Sequence, residues 1–463
     1  FTLIEYKNLF QKNQKLITDS VMVSSLTTII TIIFSTSIAI YERYSHNKLK
    51  KFILPILFLT MISPPFVSSL AYINLFGRRG LITHKLLHLT IDPYGWHGIV
   101  MMQALSEISL SAILIIGVLQ GIDKNLINAS RDLGASPYET IKRVVLPSAK
   151  SGIIVAGFIA FVKSLADFGT PIIIGGNFKF LATESYLTVI GRSNLPKASA
   201  MSVLILVPAM LVFAFYRYHM KDLQLFTNTG SKTFESGETG FELKGPLNTF
   251  LGILTWFFII VMILQYVTIF GSAITYYNGK NYVFTLKHIK LMRYGKWGSF
   301  FRSIRYSLIA GISTSFIGLL LSYYIERRRF IGSKIIDFIA TLPYIIPGTF
   351  FGIGYILAFN NRPLILTGTE IIVILNCIFR QIPIASKAGS AVLTNMNPEI
   401  ENAAKDLGVP KIFVIKDIIL PLLKPAFLIS FINTFTTTMT TVGAIIFIIS
   451  PGAKVATVEM FNT

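Results

Sequence analysis

Apolar runs of about twenty residues recur along nearly all of this chain, and that is the length an α-helix needs to cross the hydrocarbon of a bilayer. They lie at Val21–Tyr41, Ile53–Phe76, Gly98–Val118, Ile153–Ile174 and Ala198–Tyr216, then at Leu247–Phe270, Ile304–Ile325, Ile336–Phe359, Glu370–Ala388 and Ala426–Ile449. Backbone polar groups in lipid must be satisfied within the segment, so ten such runs predict an all-α polytopic membrane protein. Composition agrees: 14% of residues are charged, against roughly a quarter in soluble domains. The net charge of +20 fits basic loops drawn to anionic headgroups, so the lipid bilayer and not a nucleic acid is the expected partner. The single cysteine, Cys377, lies in an apolar run, so there is no disulfide framework. No glycine-rich phosphate loop of the G-x-x-x-x-G-K-[ST] type occurs, so any nucleotide hydrolysis must come from another chain.

An internal repeat sets the architecture. Asn128-Ala-Ser-Arg-Asp-Leu-Gly134 returns as Asn402-Ala-Ala-Lys-Asp-Leu-Gly408, and a Leu-Pro follows each at the same distance, at Leu146-Pro147 and Leu420-Pro421. Six runs separate the two copies, an even number, so both loops emerge on one side and the repeat is parallel. Two like loops on one face imply two copies of one partner. The expected organisation is a first half over 1–216, a polar Gly/Ser/Thr-rich linker over 217–246 and a second half over 247–463. Prolines interrupt corresponding runs, Pro64 and Pro65 in the first half and Pro343 and Pro347 in the second. Such breaks are tolerated in a membrane only where protein or a cavity satisfies the freed backbone groups. Phe1-Thr-Leu3 matches Phe284-Thr-Leu286, which follows the first run of half two. By that register half one lacks its own first span and half two its last, giving ten spans of an expected twelve.

With the repeated loops placed in the cytoplasm, that side carries Arg43, Lys48, Lys50, Lys51, Arg327, Arg328, Arg329 and Lys334. The opposite side also holds bases, among them Lys280, Lys287, Lys290, Arg293 and Lys296. The positive-inside rule therefore favours this orientation only through its short, dense loops, and the motif decides it.

These loops resemble the cytoplasmic Glu-Ala-Ala-x-x-x-Gly loop, followed by Leu-Pro, of binding-protein-dependent ABC importer permeases. The fused layout, with Leu165-Ala-Asp-Phe-Gly-Thr-Pro171 and then Gly175-Gly176, is similar to ferric iron transporter permeases, and the resemblance covers essentially the whole chain. Both copies depart at the first position, where Asn128 and Asn402 replace Glu; Glu401 stands one place early in the second copy. The resemblance implies an inner-membrane, multi-pass bacterial permease that makes and breaks no covalent bond. It implies two ATPase subunits, which would hold the ATP and Mg, docking at the loops, and an extracytoplasmic binding protein that delivers substrate. Ferric iron is the implied cargo, with phosphonate, thiamine, polyamine and sulfate as alternatives. The rival from another class is an ion-gradient-driven secondary transporter, which commonly has inverted rather than parallel repeats.

The coupling-loop candidates are Asn128, Ala129, Ser130, Asp132, Gly134 and Pro147, with Asn402, Ala403, Ala404, Asp406, Gly408 and Pro421. Small residues allow a short helix to seat closely in a partner's groove, the glycines suit a helix end at positive φ, and the prolines suit the start of the next helix. Ionisable residues inside spans are costly and default to functional hypotheses. Glu107, Lys163, Asp167, Arg380 and Gln381 are therefore pathway candidates, joined by Asn433 in the threonine-rich stretch Thr434–Thr441. Lys163 and Asp167 have the i, i+4 spacing of a helix-face pair. Glu107 and Arg380 are expected to face one another across the pseudo-twofold axis, as a gate or as a packing ion pair. His84, His88, Asp92 and His97 share one extracytoplasmic loop, but ferric iron prefers oxygen ligands and nothing fixes these groups together, so no metal site is expected.

Overall fold

The computed structural model describes residues 4–61, 65–89, 92–219, 241–278, 282–288, 290, 297–328, 332–396, 399–410 and 413–462. Phe1–Leu3, Pro64, most of the linker, Lys280, Arg293, Lys296 and Arg329 lie outside the described residues. The first half contains α1 (Ile4–Lys12), α2 (Gln14–Tyr44), α3 (Ile53–Thr60), α4 (Pro65–Phe76), α5 (Trp96–Gln120) and α6 (Lys124–Asp132). It continues with α7 (Pro137–Ala166), α8 (Gly169–Ile174), α9 (Leu181–Arg192) and α10 (Leu195–His219). In the second half α11 (Pro246–Ile274) precedes a two-stranded hairpin, β1 (Thr275–Tyr277) and β2 (Tyr282–Phe284). There follow α12 (Trp297–Tyr323), α13 (Ser333–Ile345), α14 (Gly348–Phe359), α15 (Glu370–Asn395), α16 (Glu399–Asp406), α17 (Val414–Leu422), α18 (Lys424–Thr440) and α19 (Ala456–Asn462).

Each half is built on a three-helix core laid out alike. In the first, α2 packs against α5 and α7; in the second, α12 packs against α15 and α18. The polarity of the central helices is inverted relative to a soluble protein. Ser20, Ser24, Thr27, Thr31 and Ser35 of α2 are buried, while Ile29 and Ile33 face outward. On α12, Ser303, Ser307, Gly311, Thr314, Ser315, Gly318 and Ser322 turn inward and Ile312, Phe316 and Leu320 outward. Lipid is as apolar as leucine, so burial of large side chains gives no driving force; small residues inside let the backbones approach, and their hydroxyls bond to the helix. Ser20 donates to Leu16 O at 2.8 Å and Ser322 to Leu319 O at 2.7 Å. A Cβ at Gly318 would collide with Ala385 of α15.

The halves are interlaced. α11, the first helix after the linker, packs against α2 and α4 of the first half, and α10, the last before it, reaches α13 and α14 of the second. The linker's far end is not a free tether: Phe241 and Leu243 are buried, and Leu243 N–H donates to Tyr44 O at 2.7 Å.

Among the described residues seven helices are long and apolar enough to span a membrane, and two bent pairs raise the number to nine, where the apolar runs predict ten. The run Ile53–Phe76 divides into α3 and α4 around residues outside the described set. The run Ile336–Phe359 bends by 107° between α13 and α14, where Ile346, ahead of Pro347, is extended; proline disfavours helical backbone in the residue before it. Two other runs end early. Helix α7 stops at Ala166, with Asp167 extended at φ −74°, ψ 120°. Helix α18 stops at Thr440, with Thr441 at φ −72°, ψ 138°. Asp167 and Thr441 lie equally far beyond Pro147 and Pro421, so the repeat extends to where the backbone breaks.

The prolines do not begin new helices. Pro147 lies within the continuous α7, just after a π-helical stretch, Ile141–Val145, and Pro421 follows a like stretch, Val414–Ile419. Proline lacks an N–H and strikes the carbonyl four residues back; a wider π turn moves that carbonyl aside. In the second half the chain then bends by 63° between α17 and α18, ahead of Pro425.

Candidate functional site

The two repeated loops have the same construction. Helices α6 and α16 both end on a left-handed glycine, Gly134 at φ +83° and Gly408 at φ +76°, a conformation that spares glycine the usual Cβ penalty. The residue before each glycine projects outward: Leu133 is 88% and Leu407 83% exposed. Leu126 and Ile400, each about two turns back, are also exposed. Asn128, Ala129, Asp132, Asn402, Ala403 and Asp406 share the open side. The small residues are divided, contrary to the expectation that all of them face a partner. Ser130 bonds to Thr140 Oγ1 at 3.1 Å inside the loop, and Ala404 is buried, so only Ala129 and Ala403 are available to a groove. In loop one, Ser136 and Glu139 form a capping box that starts α7. The hydrogen bond from Ser136 N–H at 2.9 Å holds the exposed Glu139 carboxyl below its ordinary range.

Within the bundle, the expected charge pairs rearrange. Lys163 does not pair with Asp167, nor Glu107 with Arg380. Lys163 Nζ of α7 lies 3.2 and 3.1 Å from the two carboxylate oxygens of Glu107 on α5. Glu107 is almost enclosed, its side chain 10% exposed, while that of Lys163 is 52% exposed. The i, i+4 rule fails because Asp167 lies one residue past the end of α7. Its Oδ1 accepts from the N–H groups of Gly169 and Thr170 at 2.9 and 3.2 Å, capping the turn that begins α8. Its Oδ2 accepts from Gln103 Nε2 at 3.2 Å, and Gln103 Oε1 accepts from Ser164 Oγ at 2.6 Å and Thr27 Oγ1 at 3.3 Å. Arg380, on α15, donates to Thr441 Oγ1 at 3.3 Å, and its guanidinium packs closely over Gly348, 3.1 Å from where a Cβ would lie. Gln381 is buried on α15, and Asn433 is half-buried with Nδ2 unpartnered among the described residues.

The sequence matches the family described as binding-protein-dependent transport system inner membrane component over residues 28–224 and 315–461. The chain belongs to this permease family. The two matched segments each contain one of the repeated loops. The permease is 32% identical to a ferric transport system permease protein of Haemophilus influenzae over 455 residues, 95% of this chain and 71% of that relative. It is 30% identical over 461 residues to the ferric transport system permease protein of Actinobacillus pleuropneumoniae, 97% of this chain and 66% of the relative. A molybdenum transport system permease protein of Mycobacterium bovis is 28% identical over 201 residues, 42% of this chain and 74% of the relative. The permease is thus an ABC transporter component of the inner membrane, with its helices in the bilayer.

Two features of the permease escape the motif. Phe168 stacks on Tyr186 at 4.9 Å between ring centroids, and both meet Phe461 of the second half, at 5.7 and 6.2 Å; Tyr186 also meets Phe447 at 5.7 Å. Four rings from the two halves therefore interlock just beyond the break at Asp167. The clue was present in Leu165-Ala-Asp-Phe-Gly-Thr-Pro171, whose phenylalanine follows the carboxylate directly. In the loop between α4 and α5, Asp92 is engaged by Arg78 at 2.7 Å, and its carbonyl contacts His97 Nε2 at 2.8 Å. Among the described residues no three His, Cys, Asp or Glu side chains converge to hold a metal.

Proposed function

We propose that this permease is the membrane subunit of an ATP-driven importer in which two ATPase subunits dock at Asn128–Pro147 and Asn402–Pro421. The observation that carries this reading is the pair of leucines, Leu133 and Leu407, held outward on two equivalent helix ends. An apolar side chain held out in water on a helix end gains free energy when a partner's pocket buries it. In this reading ATP and Mg bind to the partner, and the permease contributes no catalytic group. An extracytoplasmic binding protein delivers the cargo, and movement at the loops alternately opens the bundle to each side.

The cargo is ferric iron. The support is the near-full-length likeness to two permeases named for ferric transport, whereas the molybdenum relative shares under half of the chain. Glu107 and Asp167 carry oxygen donors of the hard kind that such a cation prefers, and with Lys163, Arg380, Gln381 and Asn433 they remain the pathway candidates. The parallel repeat favours this over a gradient-driven carrier. The test co-expresses the permease with its ATPase and measures ATP-dependent uptake from ferric-loaded binding protein into proteoliposomes. Loss of bound ATPase in the double variant Leu133→Asp, Leu407→Asp is expected. Uptake that proceeds on an ion gradient without ATP sinks the proposal.

A further inference from the structure

Glu401 is a buried position at which the two loop helices disagree in kind. On the register of the repeat its counterpart is Ile127, and both positions are buried, Ile127 at 3% and Glu401 at 5% exposure. A carboxylate buried where its twin is aliphatic needs a partner. That partner is Arg327, in the π-helical turn Tyr324–Arg328 that ends α12. Its Nε lies 2.8 Å from Glu401 Oε1, an ion contact whose N–H is not aligned for a hydrogen bond, and both side chains are nearly enclosed. Arg327 Nη2 also donates to the carbonyls of Leu393 and Met396, each at 2.9 Å. Those carbonyls close the C-terminal end of α15, where cationic donors are favoured. One guanidinium thus joins the end of a core helix, the end of the helix leading into loop two, and the loop helix α16 itself.

The first half has the same Glu-Arg pair, Glu42-Arg43 against Glu326-Arg327, but Ile127 offers it no carboxylate. Ile127 instead shares an apolar core with Phe241 and Leu243 at the end of the linker. The ring of Phe241 lies under the guanidinium of Arg131 on α6, 5.8 Å from its centroid.

We propose that Arg327 and Glu401 are positioning residues that transmit movement between coupling loop two and the second-half core, and that loop one moves with its core through the apolar contacts of Ile127 and the Arg131–Phe241 contact instead. The inference rests on the docking of ATPase subunits at the loops. Its consequence is that the two loops, alike in motif, are coupled to transport by different means, so neutralising this pair uncouples ATP hydrolysis from uptake while an equivalent change at Arg43 does not.

The test uses the permease with its ATPase and ferric-loaded binding protein in proteoliposomes. In Glu401→Gln and in Arg327→Gln, ATPase is expected to remain bound while uptake per ATP hydrolysed falls at least fivefold. The double variant should fall no further than the worse single one, because the two residues act as a unit. Arg327→Lys, which keeps the charge and gives up the paired carbonyl bonds, should lie between, and Arg43→Gln should stay within twofold of the parent. A merely structural role would lower bound ATPase, hydrolysis and uptake together and leave their ratio unchanged, and that result overturns the proposal. So does a Glu401→Gln permease with an unchanged ratio, or a double variant whose loss is the product of the single losses. Should Arg327→Gln not be recovered from the membrane, Glu401→Gln decides alone. Failure of the docking reading looks different: ATPase then stays bound in the Leu133→Asp, Leu407→Asp variant.

Discussion

The two halves share a backbone plan but not its polar content. In the first half, Gln103, Ser164 and Asp167 form a closed network, and Glu107 is answered by Lys163. On the register of the repeat, the second half carries Cys377, Thr438, Thr441, Gln381 and Thr437 at those same positions. Its charge is Arg380, one place removed, and among the described residues no carboxylate lies against it. Duplication preserved what the helices need for packing, the inward stripes of small residues, and released the sites where a charge must be balanced. At these positions the carboxylates lie in the first half and the unmatched cation in the second, so the two cores are chemically different.

Removing the lysine breaks this contrast most severely. Lys163→Met leaves the enclosed Glu107 without its ammonium, and a loss of about 2 kcal/mol is expected, between the values for exposed and buried pairs because Lys163 is half open to its surroundings. Thermal unfolding in detergent reads the effect. The double variant Lys163→Met, Glu107→Gln should recover most of it. A drop no larger than that of the exposed Lys150→Met would mean that the pair contributes nothing to the fold.

A gain is expected next. Asn376 of α15 is 1% exposed, and neither amide atom has a partner among the described residues; its counterpart in the first half is Met102, fully buried and apolar. Asn376→Met should therefore stabilise the second half by about 1 kcal/mol, the lower end of the penalty for a buried unsatisfied group. Uptake measured beside stability sharpens the comparison. Higher stability with lost uptake would make the amide a contact for cargo, and lower stability would show that the two cores are not interchangeable there.

The smallest effect distinguishes the loops. Only loop one has the Ser136–Glu139 capping box; loop two has Pro410 and Phe413 at those positions. The Glu139 carboxyl is held below its ordinary range, so its support is complete above the unfolded value near 4.5 and is lost as pH falls through the depressed one. Hydrogen exchange, corrected for its intrinsic pH dependence, should show the first turn of α7 losing protection on acidification. Equal loss at 413–417 would remove the distinction.

Much of this was legible in the chain. Apolar length placed the spans, and a seven-residue repeat with a fixed Leu-Pro located both loops and their glycines. The partners of charged groups were not legible, because they depend on helix rotation and helix ends. Lys163 and Asp167 read as neighbours only if the helix continues past Ala166, and the true partner, Glu107, is on another helix. The prolines misled for a related reason, since a π turn accommodates them within a helix that spacing alone would start afresh. The Arg327–Glu401 contact did leave a sign: an acidic residue at a position where the other copy has isoleucine.

The crossing of α10 and α11 has a consequence for how such a machine can move. Each half supplies part of the other's outer wall, as two people stand with arms linked. Neither can step away without carrying the other along, so opening has to be a tilt about the shared seam and not a separation. A chain cut between Tyr216 and Phe241, with both pieces made together, should then still assemble, because the clasp is formed by helices on either side of the cut.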